Sequence, residues 1–483
     1  MGEKQTRKSP AISHHPSPIT HHPSPITHYP LPNNRFAIMR FLSSVSLAFL
    51  LCTAPAVQTY AADLVDIYKE ARGSDAVYAA ARAAWSAGQE KLPQGRAGLL
   101  PQLSLSASTQ YNDREIRFRS PAIAAAEGQF NSNAVTLSLT QPLFRVQNYM
   151  QYEQAKTQVT QADVQFALAA QDLIVRAAQA YFDILLAQDT VAFAGAQIAA
   201  IAEQLAQAKR NFEVGTATIT DQHDAQARYD LTVAQEIAAN NDLEIKRRAL
   251  EQLIGKPAPV LALLGKQFSL ALPEPNRMED WVQDVVRTNL QVQISQAGLT
   301  LASQEVTRNR AGHLPTLDAV ASYSESGSGS GLQGGAGTDT TSRVIGLQLT
   351  LPIYQGGLTS SRVREAQAFE DKARQDLENA RRTAELSTRQ AFLGVANGAA
   401  QVKALQAALV SSQSSLDSTR LGLEVGVRTQ VDVLNAQQLL FSTRRDLAQA
   451  TYNYILSLLK LKAAVGRLAE DDLTQVNAWL AVK

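Results

Sequence analysis

Three landmarks recur in the same order in the two halves of the chain, and nothing else in the sequence limits its fold so strongly. RAGLLPQL at 96–103 returns as RAGHLPTL at 310–317, and Pro142-Leu143-Phe144 returns as Pro352-Ile353-Tyr354. FEVGTATITDQHDAQ at 212–226 returns as LEVGVRTQVDVLNAQ at 423–437; the three offsets are 214, 210 and 211 residues. Offsets this constant mean a tandem duplication with small insertions. The expected units are a first repeat over 62–276 and a second over 277–483, joined through the Pro-containing stretch from Pro257 to Pro275.

Each half reads as the same series of elements. An amphipathic helix comes first, over about Leu64 to Lys91, stopping before Pro93, and over about Met278 to Arg310. A strand hairpin follows, at 103–141 and at 316–351. Leu103, Leu105, Ala107, Thr109 and Tyr111 alternate with polar residues, as do Leu317, Ala319, Ala321 and Tyr323, and Ile345, Leu347 and Leu349. Period two with one apolar face marks strands, and strands of about 10–12 residues are long enough to cross a membrane when tilted. Segment 324–342 is Gly- and Ser-rich and segment 112–133 is long and polar, and both are expected as exposed loops. Tyr111, Phe144, Tyr323 and Tyr354 stand near the strand ends, where an interfacial aromatic belt is expected.

The remainder is helical, with no proline from Leu143 to Lys256 and none after Pro352. From Leu173 through Ala177, Ala180, Ile184, Ala187, Val191, Ala194, Ile198, Ile201, Leu205 and Ala208 to Phe212 the small and apolar positions step by four and three, which is a heptad seam. A weaker seam runs through Val395, Gly398, Val402, Leu405, Leu409, Ser412, Leu416, Thr419 and Leu423. A helix from Tyr149 to Phe212 would be roughly 95 Å long, far more than a globular domain needs. Gly215 and Gly426 fall where each long helix should end and reverse. Four strands cannot close a membrane barrel, and an open edge does not sit in lipid, so the barrel has to be shared between chains. Pro101, Pro142, Pro315 and Pro352 stand where strand meets helix and are expected as the joints between the two layers.

The N-terminal part reads as a processing segment. Residues 1–38 repeat HHPSPIT; either Met39 is the true start or these residues form a low-complexity pre-leader. Arg40, the apolar stretch from Phe41 to Leu51 and small residues up to Ala61 give a signal peptide over 39–61. Five of the seven histidines and the single cysteine, Cys52, lie in this region, so the exported chain has no thiol. Leu51 before Cys52 is too large for a lipidation signal. After Ala61 no run of about 18 apolar residues is expected to form a spanning helix. Beyond residue 61 the chain carries 40 basic and 43 acidic side chains, which is no footprint for nucleic acid. His223 and His313 make no metal site, and no nucleophile triad, Gly-rich phosphate loop or carboxylate with a partnering base is present. The chain therefore reads as a non-enzyme without cofactor or metal. A periplasmic coiled-coil rod is the competing reading, and amphipathic hairpins with proline joints count against it.

Through GHLPTLD (312–318), LPIYQGG (351–357), SSQSSLDS (411–418) and VGVRTQVDVLNA (425–436) the chain resembles the TolC-type outer membrane factor family, the channel-tunnels of drug efflux and type I protein secretion. The resemblance implies a mixed α+β homotrimer in the outer membrane. Four strands per chain would make one barrel of twelve in the lipid, continuous with a long periplasmic α-helical coiled-coil barrel closed below by inward-curling helices. It implies passive transport, with energy from an inner-membrane pump of RND or ABC type reached through a periplasmic adaptor. It further implies an entrance lock of Thr220, Asp221 and Arg428, in which a family tyrosine is replaced by Leu423. Of the carboxylate ring at the pore entrance Asp432 matches, whereas the second position is Asn435; Asp224, its counterpart in the first half, is the candidate replacement. Val214-Gly215-Thr216 and Val425-Gly426-Val427 align with the adaptor-contact tips.

Overall fold

A computed structural model describes residues 61–120, 125–265, 268–270, 272–329 and 336–481. The leader, Cys52 and all of the expected signal peptide but Ala61 lie outside the described residues.

Asp63 caps α1 (Leu64–Ser74), accepting from the Asp66 N–H at 2.8 Å. The single helix expected up to Lys91 is broken at Asp75, whose extended backbone ends α1 and whose carboxylate accepts the Tyr78 N–H at 2.8 Å to start α2 (Ala76–Gln89). A short α3 (Lys91–Ala97) follows, with Pro93 in its first turn, where no N–H is needed and the helix is not stopped. The second half breaks at the equivalent place. After the long hairpin α4 (Val146–Glu213) and α5 (Ile219–Ile254), helix α6 (Met278–Thr288) ends at Asn289, which caps α7 (Leu290–Arg310) through the Val292 N–H at 3.0 Å. Capping side chains thus override the helical pattern at positions 214 residues apart.

The strands β1 (Gln102–Ile116), β2 (Ala126–Phe144), β3 (Thr316–Ser328) and β4 (Thr338–Thr350) form one antiparallel sheet in the order β1-β2-β3-β4. Both expected loops are shorter than their composition suggested: pairing continues from Asn112↔Phe130 to Ile116↔Ala126, and from Ser324↔Ser342 to Ser328↔Thr338. Polar residues extend these strands because ladder bonds depend on backbone, not on side-chain polarity. Register stacks Leu103, Leu139, Ala321 and Ile345 in one row, and Leu105, Leu137, Tyr323 and Arg343 in the next, so one face is mainly apolar, with Gln141, Glu325 and Arg343 as its polar members. The other face is hydroxylic: Ser104 bonds Ser138 at 2.7 Å and Thr136 bonds Ser324 at 3.0 Å. Leu105 and Leu347 are each 70% exposed. Among the described residues, edges β1 and β4 have no partner within the chain.

Pro101 and Pro315 immediately precede β1 and β3, and Pro352 lies between β4 and the next helix. Pro142 is inside β2 rather than at its end. The register shifts between Pro142 and Phe144, which lets the ladder tolerate a residue with no N–H. At this boundary Arg145 donates from Nε and Nη2 to the buried Asp318 at 2.8 and 2.5 Å, tying the start of α4 to β3.

The second long hairpin is α8 (Leu358–Glu424) and α9 (Gln430–Ala464), followed by α10 (Glu470–Asn477). At 68 and 67 residues, α4 and α8 are nearly equal. Along the α4 seam Leu173, Ala177, Ile184, Ala187, Ile201, Leu205 and Ala208 are buried, and along α8 Val395, Val402, Ser412 and Leu416 are buried. Phe212, at the hairpin end, is 41% exposed. By length and composition α4 contains a stretch apolar enough to cross a membrane, contrary to the expectation of none. The largest core gathers Tyr181, Phe182 and Leu185 of α4 with Leu250 and Ile254 of α5, Tyr454 and Ile455 of α9, and Leu64 and Ile67 of α1. Tyr181 satisfies its hydroxyl there by donating to the Ala262 carbonyl at 2.7 Å. Each such side chain contributes about 2 kcal/mol by leaving water.

Candidate functional site: the two hairpin tips

Both long hairpins reverse through the same device. Gly215 and Gly426 take φ of +78° and +81°, which an L side chain resists, and each stands at the close of a 67- or 68-residue helix. The Thr216 N–H bonds the Asn211 carbonyl at 2.8 Å and the Val427 N–H bonds the Gly422 carbonyl at 2.8 Å, so each turn caps the helix it leaves.

The following helices start with matched capping boxes. Thr218 accepts from the Asp221 N–H at 3.3 Å while Asp221 Oδ2 accepts from the Thr218 N–H at 3.0 Å. Thr429 and Asp432 repeat this at 3.2 and 2.9 Å. The signal was legible as TITD and TQVD, a hydroxyl three residues before an acid. Two residues aligned with the entrance therefore also hold their own helices. The Thr429 N–H and hydroxyl, with Arg428 nearby, hold the Asp432 carboxyl below the usual carboxylate range.

Within one chain the lock residues are not brought into a bonded set: among the described residues Arg428 forms no ion pair with Asp221, and Thr220 meets the Thr218 hydroxyl at 2.5 Å. Arg428 is exposed, its stem lying against Gly422, where an added Cβ would come within 2.7 Å of Cγ. Asp224 is exposed, one helical turn beyond Asp221. Asn435, one turn beyond Asp432, instead accepts from Arg228 Nη2 at 2.7 Å, and Gln438 accepts from Arg228 Nη1 at 2.8 Å. Sequence reasoning missed Arg228, because no helical spacing or motif links it to the other half. The tips are apolar outside, with Val214 72%, Val425 65% and Val427 75% exposed beside the exposed Gly215, Thr216 and Gly426.

Among the described residues no group of three or more His, Cys, Asp and Glu is placed to hold a metal ion. Two displaced titratable groups sit together in the helical core. Burial pushes the Asp189 carboxyl up against the hydrogen bond it accepts from the Tyr452 hydroxyl at 2.7 Å, and burial likewise raises Tyr452. These serve packing between α4 and α9.

Known proteins with this arrangement are channels. The family described as outer membrane efflux protein matches residues 67–256 and 281–467, one segment in each half. Over 432 residues the chain is 35% identical to outer membrane protein TolC of Escherichia coli strain K12, covering 87% of this chain and 85% of that protein. It is 33% identical over 421 residues to the proteases secretion protein PrtF of Dickeya chrysanthemi, covering 86% and 90%. The Campylobacter jejuni CmeC outer membrane channel superposes with a TM-score of 0.71 at 19% identity, over 86% of this chain and 89% of that one, and so shares the fold. The chain is an outer-membrane channel protein and belongs to the outer membrane efflux protein family.

Proposed function

We propose that three copies of the chain form a passive exit duct whose periplasmic end is closed by the hairpin tips. The observation that carries this reading is the four-stranded sheet with an apolar face and two unpartnered edges, on the same chain as two helical hairpins of matched length. An open edge exposed to lipid leaves backbone groups unsatisfied, and three such sheets edge to edge remove every edge. The apolar face then meets outer-membrane lipid and the hydroxyl face lines the water-filled bore.

At the tips Asp221 and Arg428 are left unpaired with each other within the chain, so the bond assigned to them, with Thr220 beside it, joins neighbouring subunits. Asp432, repeated around the axis, supplies the carboxylate ring, to which the exposed Asp224 adds charge; the ring favours cations and binds divalent ions that obstruct flow. The valine-flanked tips, Val214-Gly215-Thr216 and Val425-Gly426-Val427, dock a periplasmic adaptor, which connects the duct to an inner-membrane pump of RND or ABC type. Pro101, Pro142, Pro315 and Pro352 act as joints between barrel and helical tube. The duct needs no catalytic residue.

Single-channel conductance in planar bilayers tests the reading. Wild type should conduct weakly, Arg428→Ala more strongly, and Asp432→Asn should lose block by a divalent cation. Asn suits this position because its side-chain oxygen can still accept from the Thr429 N–H, the half of the capping box that an alanine would lose. A wild type that forms no channel would sink the duct; mutants matching wild type would sink the residue roles alone.

A further inference from the structure

We propose that Arg228 is an intrasubunit latch that binds the tip of the second hairpin to the first, a restraint on the entrance separate from Asp221 and Arg428. The proposal rests on the duct reading. Arg228 lies seven residues after Asp221, on the same face of α5, and Asn435 lies three after Asp432, on the same side of α9. Its guanidinium spans the two elements, donating at 2.7 Å to Asn435 Oδ1 and at 2.8 Å to Gln438 Oε1. A planar fork presents donors at fixed spacing to two acceptors one turn apart on α9, a geometry that a compact ammonium on a flexible stem does not hold.

The surroundings make this contact a join. Beside it Leu434, 1% exposed, packs on Ile201, Leu205, Ala208 and Ala225 of the first hairpin, and Gln430 donates to Gln204. Just beyond it a cleft of about 470 Å³ opens between α4, α5 and α9, with Gln438 on its wall together with Phe193, Gln235, Asp242 and Arg445, before the hairpins meet again in the main core. Elsewhere α9 packs mainly on α8 and α4 and touches α5 little. Swinging the tip of the second hairpin away from the first therefore breaks the Arg228 bonds, and the cleft beside them leaves few other α5–α9 contacts to resist it.

The test compares the conductance of wild type, Arg228→Ala and Arg228→Lys at fixed salt. Loss of two charge-assisted bonds should raise the resting conductance at least about two-fold in both variants, and further when combined with Arg428→Ala. Both variants matching wild type would overturn the latch. So would an Arg228→Lys channel matching wild type while Arg228→Ala conducts more, since charge rather than the fork would then be responsible. A second arm uses the fact that Cys52 is the only cysteine. Arg228→Cys with Gln438→Cys, joined by a short bis-maleimide in an Arg428→Ala background, should lower conductance relative to the unlinked protein. No change on linking counts against the proposal. Failure of the wild type to form channels is a different result and bears on the duct itself.

Discussion

At Asp75 one residue carries three tasks, the first through its backbone and the other two through its carboxylate. It ends α1, caps α2 through Tyr78, and pairs with Arg176 of α4 at 3.1 and 2.8 Å while its side chain is only 7% exposed. The Arg176 hydrogen bonds, opposed by burial and helped by the Tyr78 N–H, hold its carboxyl below the usual 3.8. The folded value is the lower one, so this stabilisation is complete above about pH 4 and is lost as pH falls through the folded value. Asp75→Ala should cost about 2–3 kcal/mol by thermal unfolding at neutral pH, and Asp75→Asn less because it keeps the cap acceptor. A smaller loss for Ala than for Asn would refute this division of roles. Such residues show why the sequence is partly silent. Asp75 reads as one polar residue in an amphipathic run, and Arg176 lies 101 residues away. By contrast TITD and TQVD are local enough to be read directly, whereas Thr220, Asp221, Arg428 and Asp432 were singled out by the family resemblance.

Among the elements, periodicity was legible wherever one face is continuously buried. The four-three seam names seven of the seventeen buried α4 residues and misses Tyr181, Phe182 and Leu185, whereas Ala177, fully buried within it, leaves no room for growth. Ala177→Leu should destabilise by about 1–3 kcal/mol, read as a fall in thermal midpoint, whereas the same change at the exposed Ala196 should be neutral. The strand hairpins were legible near the helices, where Leu103, Leu105 and Leu137 alternate with polar residues, and illegible beyond Tyr111. There the residues on both faces are mainly polar, and only the pairing partner, such as Phe130 for Asn112, shows that the strand continues. The contact of α5 with α9 was hidden altogether, since seams describe packing within each hairpin and Arg228 acts between hairpins.

For the whole molecule, the proposed barrel makes a directional statement about the sheet. Leu347, paired with Ala319 on the apolar face, would meet lipid, while its neighbour Gln348 would face water. Leu347→Arg should lower the amount of channel assembled in the outer membrane, by the equivalent of about 2–4 kcal/mol near the midplane, and Gln348→Arg should not. Equal loss in both variants would contradict the assigned faces. The near-identity of α4 and α8, at 68 and 67 residues, has a further meaning. Unbroken helices of this size are rulers: at 1.5 Å per residue they set the depth reached below the membrane at roughly 100 Å. Both repeats carry the same gauge, so a subunit's two ends arrive level. Removing one heptad from every arm of both hairpins would keep the seams in phase and shorten the reach by about 10 Å. Trimming one repeat alone would leave the end of the tube uneven, which explains why the two copies have drifted in side chains yet hardly at all in length.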